Sequence, residues 1–279
     1  GVKGAGFIPL AIAYLLGFIA LQSGAAEAPR PAVALVGEAG EAFLRTAEIV
    51  SLEEYETKGI TRPLRATLTD GNLTLRAVFK DVDTLDVKWK TDDGRVYLNV
   101  IDHYKNEIAS YELDKLLELG MVPPTVERRI GRDVGSLQFW VEGAMTEWDR
   151  KRVAKLSPPD VEAWNNQVST IKLYLQLIWD TDFNNMSNVM VDTNYWRIWK
   201  IDASRAFHTR AKLRNEDSIT RFPKRFLAAL ENLDRDVLDE KLGPWLSRRQ
   251  IKALWQRRDR ILELAEERVA EFGESVLFE

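Results

Sequence analysis

The sequence predicts an α+β fold with two lobes: a smaller, β-rich amino-terminal lobe that contains one helix, and a mainly helical carboxy-terminal lobe. Between residues 64 and 141, short segments of alternating apolar and polar residues are separated by turn signals, a pattern typical of hairpins with one buried face. From Pro158 onward, apolar residues recur at helical spacing instead. We therefore predict one lobe over residues 45–142 and the other over residues 143–279.

The composition limits the chemistry that the chain can perform. Hydrophobic residues make up 45% of the 279 residues, the usual share for a globular protein. The 39 Lys and Arg nearly balance the 43 Asp and Glu, so no basic excess predicts a nucleic-acid partner. The absence of Cys and the presence of only two His exclude thiol nucleophiles and most zinc sites. Any metal site must therefore use mainly oxygen ligands.

The first 30 residues have the pattern of a targeting segment. Lys3 precedes an apolar stretch at residues 7–21, and the small residues Ser23, Gly24 and Ala25 follow it. This stretch is shorter than the ~20 residues that a membrane-spanning helix needs. We predict a signal peptide, or a membrane-associated segment with a linker. The predicted location is extracytoplasmic, exported or membrane-anchored, and the cytoplasm stays open as an alternative.

The predicted amino-terminal lobe consists of three hairpins. Asp70-Gly71 joins the first two strands, and Lys80 falls on the face opposite the buried Phe79. An amphipathic stretch at residues 42–50 precedes this hairpin, and a helix from Tyr104 to Leu119 separates the second hairpin from the third. Asp102 is the predicted cap of that helix, and Glu107 lies in its first turns. The predicted strands are 64–69, 73–79, 87–90, 95–101, 125–130 and 136–141.

The predicted carboxy-terminal lobe begins with a helix over residues 161–179. A polar loop at residues 180–188 follows, and then a short hairpin (189–191 and 196–201) that ends in Asp202. Ser247 and Gln250 form a capping-box pattern that opens the last helix.

Several polar residues occur along the chain in an order that suits phosphoryl transfer. That reaction needs a Lys to hold phosphates, an acid to orient the Lys, oxygen ligands for a metal, and an acid near the nucleophile. Lys80 ends a strand and Glu107 lies on the next helix. Asp182, Asn188 and Asp202 follow in the polar loop and its hairpin. Asn188 and Asp202 offer the oxygen donors that Mg²⁺ prefers.

The residues around these positions resemble a family of atypical kinases, which groups phosphatidylinositol 3- and 4-kinases with secretory-pathway Golgi casein kinases and their bacterial relatives. The resemblance covers the chain from about residue 58 to its end and is greatest in the last two of the segments that carry it. These segments are Gly59-Ile-Thr-Arg-Pro63, Leu68-Thr-Asp-Gly71, Tyr104–Leu117, Met121–Arg128, Thr181-Asp-Phe-Asn-Asn-Met-Ser-Asn188 and Ile201-Asp-Ala-Ser-Arg-Ala-Phe207.

The resemblance implies a two-lobed protein-kinase-like fold, binding of ATP with Mg²⁺ or Mn²⁺, and transfer of the γ-phosphoryl group to a hydroxyl acceptor. It implies that Asp182 is catalytic and that Asn188 and Asp202 bind metal. The residues predicted to contact or position ATP are Lys80, Glu107, Gln138 and Val141. The family acts on proteins, lipids and sugars, so the acceptor class is not predicted.

The chain also departs from the family pattern. The family loop usually reads Asp-Arg-x-x-x-Asn, whereas Phe183 replaces the basic residue here and one residue is inserted before Asn188. Asn184 or Asn185 is therefore an alternative metal ligand. Ala203 replaces the common His, and the glycine-rich loop is reduced to Gly59 and Gly71.

Two other functions stay open. One is an inactive kinase-like binding or scaffold protein of the cell envelope, which the altered loop favours. The other is a metal-dependent hydrolase that uses Asp180, Asp182 and Asp202. Export and ATP use also conflict, because ATP is scarce outside a bacterial cytoplasm.

Overall fold

The computed structural model describes residues 31–54, 63–90 and 96–279. The predicted targeting segment, the Gly59-Ile-Thr-Arg part of the first family segment and the turn between the predicted strands 87–90 and 95–101 lie outside these ranges. Residues 31–279 form one unit, which contains two apolar clusters. One cluster lies in the β-rich lobe and the other in the helical lobe. The lobe boundary at residue 142 stays a prediction.

Alternating side chains build the sheet of the amino-terminal lobe. Ala66, Leu68, Ala77 and Phe79 are buried on one face, while their sequence neighbours are more exposed. The five-stranded sheet is antiparallel, in the order β1-β2-β3-β7-β6, and β4 pairs with β5 in a separate hairpin. The strands are β1 (Glu48–Glu54), β2 (Leu64–Thr69), β3 (Thr74–Lys80), β4 (Asp83–Lys90), β5 (Val96–His103), β6 (Thr125–Ile130) and β7 (Asp133–Phe139).

The amphipathic stretch predicted at residues 42–50 is two elements rather than one. Helix α1 (Gly37–Thr46) ends before β1 begins, and Ala47 between them has an extended backbone. Phe43 and Leu44 of α1 are buried in the cluster of the β-rich lobe. Helix α1 therefore packs on the sheet, and β1 is an edge strand that the sequence pattern did not predict.

Helix α2 (Tyr104–Leu116) lies between the two apolar clusters. Its cap is His103, whose Nδ1 accepts a hydrogen bond from the amide of Lys105 at 3.2 Å. The prediction that Asp102 caps this helix was wrong, because Asp102 instead pairs with Arg205 at 3.0 Å. Ala109, Leu113 and Leu117 join the cluster of the helical lobe. Most of the apolar face of α2 therefore packs against the lobe that follows it in sequence.

The carboxy-terminal lobe is mainly helical, as predicted. Asp160 caps α4 through the amide of Ala163, and the predicted capping box between Ser247 and Gln250 opens α7. The helices are α3 (Glu147–Asp149), α4 (Val161–Ile178), α5 (Lys224–Glu231), α6 (Arg235–Leu242) and α7 (Arg248–Phe272). The short strands are β8 (Met145–Thr146), β9 (Val189–Asp192), β10 (Arg197–Lys200), β11 (Phe222–Pro223) and β12 (Leu277–Phe278). In the part of the chain that the structure describes, no helix is long and apolar enough to cross a membrane.

Candidate nucleotide site

Lys80, at the end of β3, is the centre of a charged cluster between the lobes. Its Nζ lies 2.6 Å from Glu107 Oε1 on α2 and 2.9 Å from Asp202 Oδ1. The other Glu107 oxygen, Oε2, accepts the amide of Ala203 at 2.9 Å. Three segments that are distant in sequence therefore meet at one ammonium group.

Burial and charge act in opposite directions in this cluster. Burial alone lowers the pKa of Lys80, but Asp202 and Glu107 outweigh it and hold that pKa above its ordinary value. Burial raises the pKa of Asp202, and Lys80 outweighs it and holds the pKa below the usual range. The Lys80 side chain is 13% exposed and the Asp202 side chain 40%. The pKa directions mean that both groups are ionised at neutral pH, and the exposure means that part of the Asp202 carboxylate is accessible.

Close contact between β3 and β7 fixes the backbone at Lys80. Lys80 is opposite Ser136 in the strand register. A Cβ atom at Gly135 would lie 2.2 Å from the carbonyl oxygen of Lys80 and 2.9 Å from Phe79 Cε2. Only glycine fits there without moving the strand that carries Lys80.

Replacing Gly135 with alanine is therefore expected to lower the free energy of unfolding by about 1–3 kcal/mol, the usual cost of overpacking. Because the clash is with backbone, it should also displace Lys80 and so weaken the ATP binding that we propose for this chain. Denaturant unfolding and calorimetry measure the two effects. Gly131→Ala is the control, since Gly131 has φ +62° but no atom within 4 Å of an added Cβ. Gly131→Ala should lower stability without changing ATP affinity, and an equal loss of affinity in both variants would contradict this role of Gly135.

Asp202 follows β10 and adopts a left-handed backbone, with φ +57°. Lys200 stabilises this turn, since its Nζ donates to the carbonyls of Ile201 at 2.7 Å and Asp202 at 2.8 Å. Lys200 Nζ also lies 2.9 Å from Asp180 Oδ2, and both side chains are almost completely buried. Positive φ at a non-glycine residue is uncommon and concentrates at functional sites.

Asp182 lies in the polar loop after α4. Its amide donates to Asp180 Oδ1 at 2.9 Å, so Asp180 connects Asp182 to Lys200. Arg205 Nη1 is 3.7 Å from Asp182 Oδ2, while Arg205 Nε is 3.0 Å from Asp102 Oδ2. Burial raises the pKa of Asp182, and the charge of Arg205 opposes that rise. Although Phe183 packs against the apolar core, a cation from another segment lies near Asp182.

The three candidate asparagines differ in their surroundings. Asn188 is buried, and its carbonyl oxygen accepts the amide of Ile201 at 3.0 Å, just before Asp202. Asn185 is exposed, and its Oδ1 accepts the amide of Ser187. Asn184 is exposed as well. Of the three, Asn188 lies beside the segment that carries Asp202.

The donor atoms near Asp202 fit a hard cation. Both hydrogen bonds to the Asp202 carboxylate, from Lys80 and Ser204, go to Oδ1, which leaves Oδ2 without a hydrogen bond from the described residues. The Asn188 side chain offers an amide oxygen, which accepts from Asn185 Nδ2 at 3.2 Å, and its own buried Nδ2 lacks a partner among the described residues. A carboxylate and an amide oxygen suit Mg²⁺, which keeps water and phosphate oxygens as its remaining ligands. Among the described residues, no group of three or more His, Cys, Asp or Glu forms a metal cluster.

Gln138 and Val141 occupy different places. Gln138 is opposite Val78 in the β3–β7 register, so it lies on the same sheet face as Lys80. It is buried, and its Nε2 donates to Thr125 Oγ1 at 2.8 Å. Val141 belongs to the apolar cluster of the β-rich lobe. Their predicted contacts with ATP stay predictions, as do the roles of the other predicted site residues.

Sequence reasoning missed Lys200, Arg205 and Gly135. Lys200 lies in a strand whose residues Ile198, Trp199 and Lys200 are all buried. Because burial does not alternate there, the sequence pattern does not predict that Lys200 pairs with Asp180. Arg205 belongs to the segment quoted for the family resemblance, but its contact with Asp182 depends on how the segments fold together. The Gly135 contact depends on the approach of two strands.

The two lobes, the helix between them and the charged cluster define a protein-kinase-like fold. The sequence matches no protein-family model and no curated protein. Its fold is similar to the crystal structure of the Golgi casein kinase, with a TM-score of 0.59 at 15% identity over 88% of this chain and 79% of that one. It is also similar to the Helicobacter pylori proinflammatory kinase CtkA, with a TM-score of 0.52 at 11% identity over 82% of this chain and 98% of that one. The predicted two-lobed kinase-like fold and its likeness to the secretory casein kinases are confirmed at the level of the fold.

Proposed function

We propose that this chain is an ATP-dependent phosphotransferase that transfers the γ-phosphoryl group to a hydroxyl acceptor. The observation that carries the proposal is the meeting of Glu107 and Asp202 at Lys80 in a kinase-like fold. Lys80 holds phosphate oxygens, and Glu107 keeps the ammonium in place. Asp202 and Asn188 hold Mg²⁺ or Mn²⁺, which when bound neutralises phosphate charge.

Asp182 is the proposed acid near the nucleophile. The acceptor oxygen bonds to the γ-phosphorus while the bond from that phosphorus to the bridging oxygen breaks, and ADP leaves. The acceptor proton passes to Asp182. Arg205 is held by Asp102, and its charge opposes the rise in the pKa of Asp182 that burial causes.

Calorimetric titration of the full chain with ATP, in the presence of Mg²⁺ or Mn²⁺, tests this proposal. Asp202→Asn removes a carboxylate charge with little change in shape. Loss of a residue that only supports a metal ligand typically weakens metal binding by ~10–100-fold. Because Asp202 is a proposed ligand itself, its loss should weaken metal-dependent ATP binding by at least this factor. Asp236→Asn is the matched control, because Asp236 is exposed on α6 and should not affect binding. Absence of ATP binding by the folded parent would refute the proposal.

A second candidate function is a kinase-like binding or scaffold protein without activity. The observation that favours it is Phe183, which packs against the apolar core where the resembled family carries a basic residue. ATP binding without turnover would support this alternative. The hydrolase alternative is not supported, because Asp180 is buried and paired with Lys200 and so is not available to an exposed metal site.

A further inference from the structure

One face of α2 carries three polar side chains in line. Glu107, Tyr111 and Lys115 are spaced four residues apart, so they lie one above another on the helix. Glu107 reaches Lys80 at one end of this row. The other two side chains point to a single carboxylate on α1. The same helix face therefore joins the charged cluster to the amino-terminal helix.

Glu41 on α1 is the partner at the other end of the row. Its Oε1 accepts from Lys115 Nζ at 2.6 Å and from Tyr111 Oη at 3.2 Å. Its Oε2 accepts from Arg45 at 3.1 Å. Glu41 is only 8% exposed, and hydrogen bonds of this kind to a partly buried carboxylate are among the strong ones. Both carboxylate oxygens are therefore engaged, and two of their three donors come from α2.

Helix α1 is itself fixed to the sheet that carries Lys80. The guanidinium of Arg128, on β6, donates to the carbonyls of Leu44 at 2.5 Å and Ala47 at 2.6 Å. Phe43 packs on Phe139 of β7, with ring centroids 6.0 Å apart. These contacts bind the carbonyl end of α1, which lacks helical partners of its own. Helix α1 is therefore held in a fixed position on the sheet.

Helix α2 also contacts the helical lobe. Asn106 Nδ2 donates to the carbonyls of Ser204 at 2.7 Å and Ala206 at 3.1 Å, in the segment after Asp202. The apolar residues of α2 lie in the cluster of the helical lobe. Rotation of α2 relative to the sheet would therefore separate Glu107 from Lys80. A contact between α2 and the β-rich lobe is needed to oppose this rotation.

We propose that Glu41 is a positioning residue that sets the orientation of α2 relative to the sheet, and so holds Glu107 against Lys80. Its contacts with Tyr111 and Lys115 lie on the same row as Glu107 and act through the rigid helix. The consequence for nucleotide binding rests on the proposed function. The effect on the position of Glu107 does not depend on that function.

The amide of Ala203 reports the position of Glu107 directly, because it donates to Glu107 Oε2 at 2.9 Å. Hydrogen exchange of this amide needs no nucleotide. Glu41→Gln keeps the side-chain shape but removes the charge. Protection of the Ala203 amide should fall about tenfold, the size of effect expected from losing a charged hydrogen bond. Lys115→Met should have the same effect, whereas Lys115→Arg, which keeps the charge, should retain protection.

Glu216→Gln is the matched control. Glu216 pairs with Arg260 at 2.8 Å within the helical lobe, so its loss should leave the Ala203 amide unchanged. Unchanged Ala203 protection in both Glu41→Gln and Lys115→Met, in folded protein, would overturn the proposal. Equal losses in those variants and in Glu216→Gln would also overturn it, since they would indicate general destabilisation. Calorimetry with ATP and Mg²⁺ should show about tenfold weaker binding for Glu41→Gln. Absence of ATP binding by the parent would refute the proposed function and leave the exchange result valid.

Discussion

Replacing Lys200 with methionine is expected to lower the free energy of unfolding by about 3–5 kcal/mol, the cost of breaking a buried ion pair by removing one partner. Lys200 and Asp180 have side-chain exposures of 2% and 1%, with 2.9 Å between Nζ and Oδ2. Methionine fits the space but leaves the Asp180 carboxylate without its counter-ion and the carbonyls of Ile201 and Asp202 without their donor. Denaturant unfolding by circular dichroism measures the effect.

Two further variants separate the ion pair from general effects. Adding Asp180→Asn to Lys200→Met removes the uncompensated charge, and the asparagine oxygen can still accept the amide of Asp182, so part of the stability should return. Lys224→Met breaks an exposed pair with Glu279 and should change stability little, because exposed ion pairs contribute little to folding. If Lys200→Met were as mild as Lys224→Met, Lys200 would not stabilise the turn at Asp202.

Replacing Asp182 with asparagine is expected to lower the rate of phosphoryl transfer by about 10²–10⁴-fold, the usual contribution of a positioned acid or base. Asparagine preserves the shape of the side chain but cannot take the acceptor proton. Because Lys80, Glu107 and Asp202 are untouched, ATP affinity should stay close to that of the parent. Phosphate release from ATP, together with mass spectrometry of phosphate on the chain itself, measures turnover without a known acceptor.

Asp160→Asn is the control for this experiment. Asp160 caps α4, and asparagine caps helices about equally well, so turnover should be unchanged. Unaltered turnover in Asp182→Asn would remove Asp182 from the mechanism. A parent that binds ATP but shows no turnover would instead favour the inactive kinase-like alternative.

The parts of the fold that the sequence predicted well are those set by local patterns. Alternation of apolar residues predicted β2 and β3, helical spacing predicted α4, and helical spacing with a capping box predicted α7. The predicted cap of α2 was wrong because Asp102 and His103 can both accept backbone hydrogen bonds. In the folded chain Asp102 pairs with Arg205 and His103 caps the helix. The amphipathic stretch at residues 42–50 was not resolved into elements by its pattern, because it combines the end of a helix with the start of a strand.

The sequence by itself determined the order of the charged residues along the chain, the turn at Asp70-Gly71, the capping box of α7, and the succession of a β-rich part and a helical part. These features depend on neighbours a few positions apart, which a sequence displays directly. Only the tertiary structure decided that Lys80 meets both Glu107 and Asp202, that Arg205 lies near Asp182, and that Glu41 holds α2. Those contacts join residues far apart in the chain, and their energies depend on burial and distance, which exist only once the lobes have packed.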